Sequence, residues 1–104
     1  MPLNVTRWSS AEPPNLDALL AERRASGQDY YTWGNAPGDT YAVHTHSYRK
    51  HLICLAGNIT FTLPVTGKQI ELHPGDELDL PHGTPHGAVV GPHGVRCAEA
   101  HLLG

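Results

Sequence analysis

The sequence predicts an all-β protein, an antiparallel barrel or sandwich with one short helix near its N-terminus. Of the 104 residues, 11 are Gly and 9 are Pro, and only 16% are charged, a composition that is rich in turn formers and unfavourable for a helix bundle. Short segments of alternating polar and apolar residues follow one another, separated by Gly- and Pro-containing turns. The length allows a single domain, and the hydrophobic fraction of 39% excludes a disordered chain.

Residues 1–28 are predicted to form an arm and a short helix that precede the barrel. The polar, Pro-rich start of the chain is expected to lie over the domain. Asn15 is a favourable N-cap, and Gly27 stands where a left-handed residue commonly ends a helix. A single helix face is indicated by the i, i+3, i+4, i+7 spacing of Leu16, Leu19, Leu20 and Arg23. Residues 29–104 are assigned to the barrel. The sequence leaves open whether the arm is exchanged between two subunits.

The barrel region divides into short strands joined by turns. Strands are predicted at Tyr30–Trp33, Thr40–His46, His51–Ala56, Ile59–Leu63, Gln69–Leu72, Glu77–Leu80, His86–Val90 and Val95–Leu103. Gly57-Asn58 and Gly91–Gly94 are expected to reverse the chain. The aromatic residues of the first strand are expected to pack at a sheet or subunit interface. The positions predicted to fill the barrel are Leu52, Cys54, Phe61, Leu63, Leu78, Leu80 and Val89.

Charge and cysteine content argue against several classes of function. The net charge is −3 and no basic stripe is visible, so we expect no nucleic-acid partner. No apolar run is long enough for a membrane span, so we expect no membrane partner either. The start of the chain lacks the layout of a signal peptide, and Cys54 and Cys97 show no CxxC spacing. We therefore expect two buried thiols in a cytoplasmic protein.

Three histidines form the most distinctive chemical pattern. His44-Thr45-His46 lies on an alternating segment, so a strand would place both rings on one face with Cα atoms ~7 Å apart. His86 follows the rigid turn Pro81–Pro85, which fixes where the next strand begins. Imidazoles at such positions can converge on one transition-metal ion. We expect the turn histidines His73, His82 and His93 to be solvated instead.

The spacing of these residues resembles the two conserved motifs of the cupin family. The first motif is matched by Gly38, five residues, His44-x-His46, ten residues and Gly57. The second is matched by Gly75, five residues, Pro81-x-Gly83, two residues and His86. The resemblance implies a small, single-domain antiparallel jelly-roll barrel, usually dimeric, with a divalent metal in the barrel mouth. Carried over by position, the implied metal ligands are His44, His46 and His86.

One position departs from the family pattern. The first motif usually supplies a Glu as a further ligand, whereas this sequence has Lys50 there, followed by His51. An ammonium group cannot ligate a metal. Three alternatives stay open: a three-histidine site with Lys50 turned away, a site completed by His51, or a site without metal. All-histidine sites occur among cupins, and a site without carboxylates favours Zn, Fe, Ni or Cu over Mg or Ca.

The resemblance implies a homodimeric cupin that uses this metal to act on a small polar organic molecule. Dioxygenase-type chemistry is the expected reaction, with isomerase chemistry as another. Tyr48 and Lys50 are candidate catalytic residues, and Glu99 could hold a ligand histidine, while His101 could point into or out of the barrel. The competing hypotheses are a non-catalytic barrel that binds or senses a small ligand, with Lys50 binding an anion in place of the metal, and a structural dimerisation domain.

Overall fold

The computed structural model describes residues 3–102, which form seven strands and one helix. The elements are β1 (Asn4–Thr6), α1 (Leu16–Ala25), β2 (Tyr31–Asn35), β3 (Thr40–His44), β4 (Arg49–Leu63), β5 (Lys68–Leu72), β6 (Glu77–Leu80) and β7 (His86–Leu102). All paired strands are antiparallel. The predicted all-β class with one short helix is therefore confirmed.

The long strands β4 and β7 organise the barrel because they pair with each other and then with different partners at each end. The first half of β4 pairs with β6 and its second half with β5. The second half of β7 pairs with β2 and its first half with β3. One row of strands therefore runs β1-β6-β4-β7-β2, and the other runs β5-β4-β7-β3. Side chains from both rows share one core, which is the arrangement of a jelly roll.

Bulges bend the β4–β7 pair where the sequence predicted chain reversals. The register shifts between Cys54 and Ala56 and again between Gly57 and Ile59. Gly57 has φ +67°, and a Cβ at this position would overlap the carbonyl oxygen of Gly94. The predicted reversals at Gly57-Asn58 and Gly91–Gly94 are thus wrong, because both segments lie inside continuous strands.

The main core lies between the two rows of strands. Its buried members are Leu52, Cys54, Ile59, Phe61, Leu63, Ile70, Leu72, Leu78, Ala88, Val90, Val95 and Cys97. Cys54 and Cys97 are register partners on β4 and β7, and both are free thiols. Val89, predicted to fill the barrel, is 47% exposed, because its neighbour Ala88 takes the inward position on β7.

The helix covers the outer face of one row of strands. A second cluster, formed by Leu20, Tyr30, Ile53, Ala98 and Ala100, lies beneath it. In the same part of the chain, the arm forms β1 on the edge of β6, and the backbone N–H of Trp8 donates to Asp76 Oδ1 at 2.9 Å. The arm therefore packs against its own barrel. Within residues 3–102, no helix is long and apolar enough to cross a membrane.

The N-cap of α1 is as the sequence predicted and gives a direct test of the helix. Asn15 Oδ1 accepts from the backbone N–H of Ala18 at 3.0 Å. We expect Asn15→Ala to lower the free energy of unfolding by about 1 kcal/mol, because the helix loses a capping acceptor. Denaturant unfolding measures this change, and Asn15→Asp, which keeps the acceptor, is the matched control. Equal stability of the alanine and wild-type chains would show that the cap is not stabilising.

Candidate metal centre

A cavity of about 270 Å³ opens inside the barrel between the two rows of strands. Its polar lining residues are His44, His46, Tyr48, Lys50, His86 and Glu99. Its aromatic and apolar walls are formed by Tyr31, Trp33, Tyr41, Ile59, Phe61 and Ala88. The two conserved-motif regions of the sequence therefore meet at one concave site.

The three motif histidines come together at this site. His44 is the last residue of β3 and the register partner of His86, the first residue of β7, so strand pairing sets these two side chains next to each other. His46 follows in the loop after β3. One ring nitrogen from each of the three lies within 4.8 Å of the others, and the Nε2 atoms of His44 and His46 are 3.0 Å apart.

Backbone carbonyl groups hold two of the rings in the orientation that a metal ligand needs. His44 Nδ1 donates to Ala42 O at 2.7 Å, and His86 Nδ1 donates to Thr84 O at 2.8 Å. Because Nδ1 carries the proton in each ring, a neutral imidazole leaves an unprotonated Nε2. His86 Nε2 is buried and has no hydrogen-bond partner among the described residues. Such an orphaned acceptor is costly in a packed interior and fits a metal ion.

The site also favours neutral rings, the form in which imidazole binds metals. Burial lowers the pKa of His86 to about 4, and the nearby charge of Lys50 acts in the same direction. Burial and then Lys50 also lower the pKa of His46. Near neutral pH both rings therefore keep the lone pair that coordination requires. The donor set of three imidazoles without a carboxylate fits a divalent transition metal rather than Mg or Ca.

Lys50 points into the cavity rather than away from it. The residue is only 7% exposed, and its Nζ lies 3.8 Å from Glu99 Oε1. Of the three-histidine alternative, the turned-away orientation of Lys50 is therefore wrong, because on β4 the inward positions are Lys50, Leu52 and Cys54. Burial lowers the pKa of Lys50, and the opposing charge of Glu99 limits that shift.

The sequence suggested that Glu99 holds a metal-ligating histidine, but in the structure its hydrogen-bond partners are other side chains. The Tyr31 hydroxyl donates to Oε2 at 2.7 Å, the Trp33 Nε1–H donates to Oε1 at 3.2 Å, and His101 Nε2 contacts Oε2 at 2.7 Å. Burial disfavours its charge, but Lys50 and the hydrogen bonds from Tyr31 and His101 lower its pKa overall. Glu99 is therefore an ionised carboxylate that accepts three side-chain hydrogen bonds. Its histidine partner is His101, not one of the three clustered histidines.

His51 does not join the histidine cluster, which corrects the expectation that it completes the ligand set. It follows Lys50 on β4, so strand alternation turns its side chain to the opposite face of the sheet. There, His51 Nδ1 is 2.9 Å from Asp79 Oδ1 and His51 Nε2 is 2.6 Å from Glu77 Oε1. The cluster available to a metal is His44, His46 and His86.

Aromatic side chains complete the wall between the histidine cluster and Glu99. Tyr48 stacks on His46 and on His101, with ring centroids 4.8 Å and 3.9 Å apart. Tyr31 and Trp33 line the cavity, whereas the sequence predicted that they pack at an interface. Nothing in the local sequence reveals this role, because it depends on the pairing of β2 with the distant end of β7.

These features define a class of protein: a small antiparallel jelly roll with a histidine cluster in its cavity. The model of the Cupin domain family matches residues 32–98, which is more than half of the chain. The chain therefore belongs to the cupin family, as the two motifs indicated.

Solved structures of known proteins agree with this assignment. The polyketide cyclase RemF from Streptomyces resistomycificus is 28% identical, with a TM-score of 0.62 over 69% of this chain and 52% of that one. An RmlC-like cupin from Shewanella frigidimarina is 22% identical, with a TM-score of 0.60 over 69% and 62%. KdgF from Halomonas sp. is 24% identical, with a TM-score of 0.57 over 69% and 67%. The last two likenesses concern the fold alone, and this chain spans about half the length of the cyclase. No curated protein sequence matches the chain significantly.

Proposed function

We propose that the protein is a metal-dependent cupin in which His44, His46 and His86 hold a divalent transition metal. The observation that carries this proposal is the buried Nε2 of His86, which has no hydrogen-bond partner within residues 3–102 and lies beside two further imidazoles within 4.8 Å. A metal ion at this position would supply Lewis-acid or redox chemistry to a small polar molecule in the cavity. Zn, Fe, Ni and Cu are the candidate ions.

Dioxygen-dependent oxidation is the reaction class that the cavity favours. Glu99 accepts hydrogen bonds from Tyr31 and Trp33 and is paired with the charge of Lys50, so it is a poor general base. The remaining candidate for proton transfer is Tyr48, whose pKa burial and Glu99 raise. Isomerisation or cyclisation of a carbonyl compound is the second candidate, because a polyketide cyclase is among the similar structures.

A non-catalytic, ligand-binding barrel is the competing function, and one observation favours it. Lys50 occupies the position where the family usually has a carboxylate ligand, and it faces the cavity. A buried cation there could bind an anion directly without a metal. The amount of metal bound distinguishes the two functions.

Elemental analysis of untagged protein tests the proposal. After incubation with Zn(II), Ni(II) or anaerobic Fe(II) and gel filtration, we expect about one ion per chain. A content below about 0.2 ions per chain with every metal would instead support the non-catalytic barrel. Oxygen uptake by the Fe(II)-loaded protein with a panel of small carbonyl compounds then separates oxidation from isomerisation.

We also propose that the protein works as a homodimer, as the resemblance led us to expect, and that it works in the cytoplasm. Light scattering on the purified protein tests the dimer. A mass corresponding to one chain of 11.3 kDa at micromolar concentration would contradict it.

A further inference from the structure

Lys50 is a buried cation on the inward face of β4, where its charge is paired with Glu99. Its side chain is 9% exposed, and it lies between β6 and β7, opposite Leu80 and His101. Placing an ammonium group in a protein interior is unfavourable unless partners satisfy its charge and its donors. An apolar side chain of similar length would avoid this cost but would leave the buried carboxylate of Glu99 without its cation.

Glu99 balances the charge of Lys50 but does not use its hydrogen-bond donors. The separation of 3.8 Å between Nζ and Oε1 is an ion pair and exceeds the length of a hydrogen bond. The oxygens of Glu99 already accept shorter bonds from Tyr31, Trp33 and His101. An ammonium group has three donors, so Lys50 can still donate to a ligand in the cavity.

Lys50 also shares the cavity with the histidine cluster, because His44, His46 and His86 line the same cavity. The remaining walls are apolar and aromatic, formed by Ile59, Phe61 and Trp33. At about 270 Å³ the cavity lies at the small end of ligand pockets and suits a molecule with a short carbon skeleton.

We propose that the cavity selects a small organic carboxylate, whose anionic oxygen accepts hydrogen bonds from Lys50 while its carbon skeleton lies against the apolar wall. Lys50 is the specificity-determining residue, and it acts as a binding group rather than as a metal ligand. The inference rests on the proposed function in placing the ligand beside the histidine cluster, and it adds the chemical class of that ligand.

Calorimetric titration with malonate tests this inference on the metal-free and the Zn-loaded protein. We expect malonate to bind both forms, and neutral malonamide to bind at least about tenfold more weakly, because it cannot form a charge-assisted hydrogen bond. Lys50→Met keeps the length of the side chain and removes the charge. We expect it to weaken malonate binding by about tenfold or more, with part of the affinity retained in Lys50→Arg. Lys68→Met, on the exposed start of β5, is the matched control and should bind as the wild type does.

Several outcomes would overturn the inference. These are no malonate binding by either form, equal binding of malonate and malonamide, or wild-type affinity in Lys50→Met. Inorganic phosphate is titrated in parallel, and binding of phosphate without malonate would reassign the cavity to phosphate. The comparison of malonate with malonamide uses the wild-type chain, so the test holds even if Lys50→Met fails to fold.

The same samples separate this inference from the proposed function. Zn affinity is measured by competition with a chromophoric chelator. Zn binding without Lys50-dependent malonate binding overturns the inference and leaves the metal centre intact. Lys50-dependent malonate binding without Zn binding overturns the proposed metal centre and leaves the carboxylate site intact. Because Lys50 is not a ligand, Lys50→Met should keep the Zn affinity of the wild type or raise it, since a positive charge is removed from the cavity.

Discussion

Replacing His86 with Ala is expected to weaken the binding of Zn(II) at least about 100-fold, since even the loss of a partner outside the ligand set costs 10- to 100-fold in metal sites. The physical reason lies in the geometry of this ring. Its Nδ1 is fixed by Thr84 O, its Nε2 has no partner within the described chain, and the residue is only 1% exposed. Because the ring is buried, no neighbouring side chain that reaches into solvent can take its place as a metal ligand. Competition with a chelator of known affinity measures the change.

The matched control for this prediction is His93→Ala. His93 is an exposed histidine in the middle of β7 and does not line the cavity, so its loss should leave the affinity within about twofold. His44→Ala, which removes a ligand from a different strand, should weaken binding to a similar extent as His86→Ala. Wild-type affinity in both ligand variants, with circular dichroism showing that they fold, would exclude this cluster as the metal centre.

The histidine cluster was predictable because its information is local. His44 and His46 are two residues apart in the sequence, although β3 ends at His44 and not at His46 as predicted, and a Pro-Gly turn fixes the position of His86. The resemblance of the motif spacing to the cupin motifs then predicted that the segment of His44 and the segment of His86 meet in the fold. In the structure they meet because His44 on β3 pairs with His86 on β7.

The positions of Lys50 and His51 were not predictable in the same way. No regular strand connects His46 to Arg49, so the alternation of side chains cannot be carried across this segment. Either of the two residues could have faced the cavity. The pairing of β4 with β6 decides the matter, since it places His51 against Asp79 and leaves Lys50 inside.

Long-range register also explains why the Glu99 cluster and the bends were missed. Tyr31 reaches Glu99 only because β2 pairs with the end of β7, and no local pattern encodes that pairing. At Gly57 the sequence correctly indicated an unusual backbone conformation, but it was interpreted as a chain reversal and is a bulge. A glycine with positive φ fits a tight turn and a bulge equally well. Here Gly57 lies in a bulge, where the carbonyl oxygen of Gly94 comes too close for a side chain at this position.

The second large effect is expected at Glu77, on the face of the sheet opposite the cavity. Glu77 is 5% exposed and connects three elements. On α1, the Arg23 guanidinium donates to it through Nε at 3.0 Å and through Nη2 at 2.7 Å, while His51 Nε2 on β4 lies 2.6 Å from Oε1. Burial opposes the charge of Glu77, but the hydrogen bonds from His51 and Arg23 prevail and lower its pKa to about 2.

Glu77→Gln is expected to lower the free energy of unfolding by roughly 2–3 kcal/mol near pH 5.5, because Arg23 then keeps only the exposed Glu22 and His51 keeps only Asp79 as a charged partner. The difference from wild type should depend on pH in a defined way. Glu77 has a lowered pKa, so its contribution is full above its ordinary value of 4.5 and is lost as the pH falls towards about 2. The difference should therefore shrink by about 1 kcal/mol on going from pH 5.5 to 3.5.

At alkaline pH the same difference should also decrease, for the opposite reason. Burial lowers the pKa of His51, but its hydrogen bonds to Glu77 and Asp79 raise it overall above the ordinary value of 6.5. Its contribution is full below that value and is lost as the pH rises through the raised pKa. The stabilisation by Glu77 should thus be greatest between about pH 4.5 and 6.5, where the carboxylate and the imidazolium are both charged.

Denaturant unfolding followed by tryptophan fluorescence from pH 3.5 to 9 measures this profile for the two chains. The wild-type curve alone also contains the titration of other groups with shifted pKa values, namely His46, Asp76, His86 and Glu99. Subtracting the Glu77→Gln curve removes them, because they do not share a hydrogen bond with Glu77. Glu12→Gln, an exposed change of the same kind, should give a flat difference near zero. A Glu77→Gln difference that is constant across this range, or that grows towards acid pH, would show that the buried ion network does not connect α1 to the barrel, and that apolar packing around Leu20 holds the helix alone.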